Sequence, residues 1–103
     1  MENLKILARP VAYKMLIDPA ESERLTEVVA DALSIARQKN GKKYDFAFPV
    51  KSEFLIRTRW AENPGEESVI LISSSDEANE YNMFDPQQLE LAIKEGVQIP
   101  FFG

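Results

Sequence analysis

No histidine and no cysteine occur anywhere in the 103 residues of this chain. Their absence removes the side chain that titrates nearest neutral pH, the thiolate nucleophile, and the preferred ligands of zinc, copper and iron–sulfur centres. A Ser-His-Asp triad and a disulfide framework are both excluded. Long apolar runs are missing too, and none approaches the ~20 residues of a membrane-spanning helix. The opening Met1-Glu2-Asn3-Leu4-Lys5 lacks the basic region and apolar stretch of a secretory signal, so the expected address is the cytoplasm, away from membranes. Glycine is scarce, at four residues, and forms no phosphate-cradling motif.

What is present fits one small globular domain spanning residues 1–103, with 45% apolar and 28% charged residues and a net charge of −5. The charge is unevenly placed. Residues 1–36 carry −2, residues 37–59 carry +5, and residues 60–103 carry −8. The simplest account is mutual neutralisation of the basic and acidic regions across the folded surface.

Asp18-Pro19-Ala20-Glu21 opens the clearest helix, with a capping Asp, a Pro suited to the first turn and a Glu placed for a capping box. Leu25, Val28, Val29, Ala32, Leu33 and Ala36 follow as an apolar stripe, and Asn40-Gly41 supplies the exit. Asp85-Pro86-Gln87-Gln88 repeats the start signal for a short helix over 86–95, stopped by Gly96, with Leu89, Ala92 and Ile93 as its buried face.

Elsewhere the period shortens to two. Val11, Tyr13, Met15 and Ile17 alternate with Ala12, Lys14 and Leu16, which predicts a strand, and Pro10 sets Leu4–Arg9 apart as a separate edge piece or makes it part of a bulged strand. Residues 44–48 and 54–60 alternate likewise. The unbroken Val69-Ile70-Leu71-Ile72 predicts a central strand covered on both faces. Pro64-Gly65 predicts a tight turn between the last two strands. The expected fold is therefore α+β: a mainly antiparallel sheet of about four strands, one long helix on a face and a short C-terminal helix, in the order β-α-β-β-β-α, with a mixed sheet as the alternative if a right-handed crossover sets strands one and two parallel. A loop over 73–84 and a tail over 98–103 complete it.

Catalysis would have to use carboxylate, Lys, Tyr or Ser. The acidic run Asp76-Glu77 to Glu80 lacks EF-hand spacing and reads as a solvated loop, with Asp76 and Glu77 placed to start a turn of helix. Asp45 and Glu53 fall on predicted strands, where carboxylates mostly serve as exposed ion-pair partners. Ser73–Ser75 have no nucleophile elbow. The chain is thus expected to be no enzyme and to hold no metal or cofactor.

Binding is the remaining class. The chain is expected to act as a small regulator, inhibitor, adaptor or assembly factor through contact with another protein or a second copy of itself. Arg57, Arg59 and Trp60 form one predicted contact surface, Tyr81 and Met83 a loop contact, and Phe101 and Phe102 a docking tail. For Trp60 and the aromatics at 44–48 the plainer account is core packing, and for Phe101 and Phe102 it is folding back on the domain. Two alternatives stay open. Lys42, Lys43, Arg57 and Arg59 would hold nucleic-acid phosphate, or the acidic C-terminal half would imitate DNA and block a nucleic-acid enzyme.

Overall fold

A computed structural model describes residues 4–38, 46–61, 63–80 and 85–99. The fold is α+β. Strand β1 (Leu4–Ala8) leads into helix α1 (Pro10–Ile17), a 3₁₀ turn over Pro19–Glu21, and the long helix α2 (Ser22–Gln38). Strands β2 (Phe46–Val50), β3 (Phe54–Arg59) and β4 (Ser68–Ser74) follow, then helices α3 (Ser75–Glu80) and α4 (Pro86–Glu95) and strand β5 (Val97–Gln98).

The five strands form one mixed sheet in the order β2-β3-β4-β1-β5. Strands β2, β3 and β4 make an antiparallel meander, whereas β1 lies parallel to β4 with Leu4 beside Ser68 and Ala8 beside Ile72. Asn63-Pro64-Gly65-Glu66 is the expected turn between β3 and β4. Glu66 N–H donates to Asn63 C=O at 3.2 Å, and Gly65 adopts φ +91°, the left-handed third position of a type II turn.

Alternation along the strands divides the core in two. Ile6 and Ala8, Phe54 and Ile56, and Ile70 and Ile72 face α1 and α2, packing with Ala12, Leu16, Val28, Val29, Ala32, Val50 and Ile99. Leu7 and Leu71 point the other way, onto Leu89 and Ala92 of α4. Covering on both faces explains the unbroken apolar run of β4.

Two elements differ from the reading by sequence period. Residues 11–17 are helix α1 rather than a strand, burying Ala12 and Leu16 one turn apart and exposing Val11 and Ile17. Pro10 starts this helix instead of interrupting a strand, and β1 consequently lies between β4 and β5 rather than at an edge. The stretch 73–84 is also more regular than a loop as far as it is described: Ser73 and Ser74 end β4, and 75–80 form α3. The start signal at Asp18 opens the 3₁₀ turn, and the long helix proper begins at Ser22. Asp18 accepts from Ala20 N–H at 2.8 Å, although Glu21 pairs with Arg24 instead of closing a capping box. Helix α4 follows the expected bounds, with Asp85 accepting from Gln87 N–H at 2.9 Å. Its exit at Gly96 has an extended backbone and packs closely on β1, where a Cβ would sit 3.1 Å from the Leu7 Cβ.

Among the described residues, no helix is long and apolar enough to cross a membrane.

Candidate functional site

Arg9 and Glu77 are the most deeply buried charges at the carboxyl ends of the parallel pair β1 and β4. They are 4% and 5% exposed. Glu77 accepts from the N–H groups of Val11 and Ala12 at 2.9 Å, both in the first turn of α1, and from Ser74 N–H at 3.1 Å. In return Glu77 N–H donates to Ser74 Oγ, so one carboxylate closes a capping box on α3 and caps α1 as well. Burial pushes the Glu77 carboxyl up, but the hydrogen bonds from Val11, Ser74 and Ala12 outweigh it and hold the group below the ordinary carboxylate range. Arg9 donates through Nη1 to the Glu77 carbonyl at 3.1 Å and through Nη2 to Glu95 at 2.9 Å, locking the end of α4 to the same point. The positive ends of two helices converge here on an acceptor the chain itself supplies, so the cluster is a structural pin.

A second constellation sits farther along the same end of the sheet, where the hairpin between β2 and β3 meets α2. Its turn, Lys51-Ser52-Glu53, contains no glycine, yet Lys51 has φ +54° and Ser52 φ +61°. Left-handed backbone costs an L-residue about 1–2 kcal/mol, and the surroundings must hold it in place. Here Lys51 pairs with Glu27, and Arg24 pairs with Glu53. Ser75 clamps the turn from α3, its Oγ donating to Ser52 C=O and its N–H to Glu53 C=O, both at 2.9 Å. The hydrogen bond and charge of Lys51 lower the Glu27 carboxyl below its ordinary range.

Beside this turn an open cleft of about 240 Å³ runs between α2 and β2, lined by Asp31, Ser34, Pro49, Val50 and Lys51. Lys51 is engaged by Glu27 and Arg24 by Glu21 and Glu53. The half-buried Asp31 carboxylate has no ion-pair partner among the described residues. Among the described residues, the cleft therefore carries one carboxylate without an ion-pair partner. Strand β2 forms its floor and is an edge of the sheet. Pro49 has no N–H to give the ladder, so its pairing with Leu55 requires Phe48 and Val50 to bond inward to β3. Ala47 and Pro49 then turn their backbone groups to the open side.

The residues singled out by sequence fall elsewhere. Arg57 and Arg59 share the sheet face of Leu55, as alternation requires, but Arg57 is only 6% exposed and lies opposite Leu71. Arg59 is ion-paired with Glu90 of α4, joining the basic region to the acidic one. Trp60 is half-buried at the end of β3, and its indole Nε1 has no hydrogen-bond partner among the described residues. Tyr81, Met83, Phe101, Phe102, Lys42 and Lys43 lie outside the described residues, as do Asp45 and Phe84. Glu53 is in the turn and pairs with Arg24. Among the described residues, no three carboxylates converge as a metal site would need.

Sequence reasoning missed the cleft because Lys-Ser is not a dipeptide that announces positive φ. The usual signal, Asn-Gly or Asp-Gly, is absent, and only the short interval between two alternating runs marks a hairpin there. Compared with known proteins, the chain matches no family model, no curated protein and no solved structure.

Proposed function

We propose that this chain is a non-catalytic domain that acts by binding another protein, through the side of the molecule formed by α2, β2 and the 51–53 turn. The observation that carries this reading is the pair of left-handed, non-glycine residues at the rim of an open cleft. A turn selected for stability alone would place glycine there, and residues held in such backbone concentrate where ligands are gripped.

Two further observations favour binding over chemistry. The carboxylate with the most unusual surroundings, Glu77, has its oxygens committed to backbone donors and is poorly placed to exchange a proton with a substrate. Phosphate binding through β3 receives less support than protein contact, because Arg57 is buried and Arg59 is engaged by Glu90.

The test is affinity isolation of the full chain and of the Asp31→Lys variant from the native cells, with and without nuclease treatment. A stoichiometric protein retained by the unaltered chain and lost by the variant is the expected result. Retention of nucleic acid that disappears with nuclease, or equal retention by both chains, overturns it.

A further inference from the structure

We infer that the groove between α2 and β2 accepts an extended segment of the partner protein as a sixth strand of the sheet, with a lysine or arginine of that segment reaching Asp31. The inference rests on the protein-binding reading above and gives it an address and a ligand chemistry.

Three features meet along the groove. Among the described residues strand β2 is an edge, and its outer side carries the Ala47 N–H together with the C=O groups of Ala47 and Pro49, enough to seat a short strand. The cleft beside it is large enough for one or two side chains, which is how strand addition obtains specificity, since alternate side chains of the added strand enter on one face. Asp31 sits in that cleft, half-buried and without an ion-pair partner among the described residues, whereas the charges next to it are paired. A guanidinium or ammonium group is what such a carboxylate lacks.

A second copy of the chain fits less well. Pairing β2 with itself would bring another Pro49, which has no N–H to give.

The inference is tested with the full chain as bait for a phage-displayed library of random ten-residue linear peptides. Enriched peptides are expected to carry Lys or Arg at a fixed position within alternating β-branched residues. N-methylation of one synthetic enriched peptide should abolish binding when placed on amides of one parity and leave it intact on the other, because only alternate amides of an added strand face β2. Asp31→Asn should weaken binding about tenfold, and Asp31→Lys should reverse the preference to a peptide with Glu in place of the basic residue. In ¹⁵N spectra of the chain, the amides of Ser34, Ala47 and Lys51 should move on titration.

No enrichment, enrichment without a basic preference, insensitivity to the parity of methylation, or dimerisation through β2 each overturns the inference. Peptides that bind another face, with a native partner still recovered from cells, remove the groove assignment and leave the protein-binding reading standing. Loss of the native partner as well removes both.

Discussion

Glu77 illustrates how much one side chain holds together here. Its carboxylate satisfies three backbone N–H groups, two in the first turn of α1 and one at the N-cap of α3, so Glu77→Ala strands those donors in a buried site. A loss of about 3 kcal/mol is expected, read as a lower urea midpoint. Because the folded carboxyl is held below its ordinary value, its contribution is full above about pH 4.3 and disappears as the pH falls through the lower folded value. Stability should therefore decline in acid below about pH 4.3 in the unaltered chain, and the profile of Glu77→Gln over the same window should be flatter. Ser52 invites the opposite change. Its φ of +61° suits glycine, and its contact with Ser75 uses the backbone carbonyl, which glycine keeps. Ser52→Gly should raise stability by about 0.5–1 kcal/mol after the extra freedom of the unfolded chain is subtracted, again read by urea unfolding. An unchanged or lower midpoint would show that the turn is not strained.

Helix α1 shows where local pattern and final structure part company. Its residues are apolar on nearly every side, so a period of two and a period of 3.6 fit equally well, and the deciding signal should have been a cap. None exists locally, since Arg9 occupies the N-cap position and makes no side-chain cap hydrogen bond. The cap is Glu77, sixty-five residues from Ala12. Helices α2 and α4 were legible because Asp18 and Asp85 sit directly before their own prolines. The distinction is measurable. Leu16 is fully buried and Leu16→Ala should cost about 3 kcal/mol, whereas Val11→Ser and Ile17→Ser, at 49% and 48% exposure, should each change stability by less than about 1 kcal/mol. Large losses at 11 and 17 with little effect at 16 would restore the alternating strand.

Across the whole molecule, the uneven charge of the sequence becomes a set of ties between elements. Arg59–Glu90 joins β3 to α4, Lys51–Glu27 joins the hairpin to α2, and Arg9–Glu95 joins the β1 exit to α4. Neutralisation across the surface was visible in the charge blocks, but the choice of partners depended on the strand order. Pairs as exposed as Arg59–Glu90 contribute little, so Glu90→Gln should shift the unfolding midpoint by less than about 1 kcal/mol, and added salt should leave it nearly unchanged. The class of the fold followed from alternation and caps. A mixed sheet stood as the alternative through a parallel first and second strand, but the parallel partner of β1 is β4, and nothing in the sequence between them names that pairing.

That pairing sets a timetable for folding. Strand β1 is flanked in the sheet by β4 and β5, so it is made before either neighbour and has no partner until residues 68–74 have followed it. The β2–β3–β4 meander, by contrast, closes through two short turns and is positioned to form early. The N-terminal segment must then thread into place beside a sheet that already exists. Until it does, β4 presents an open edge and an uncovered apolar face, which makes the half-made chain, more than the finished one, the form exposed to aggregation and to chaperones.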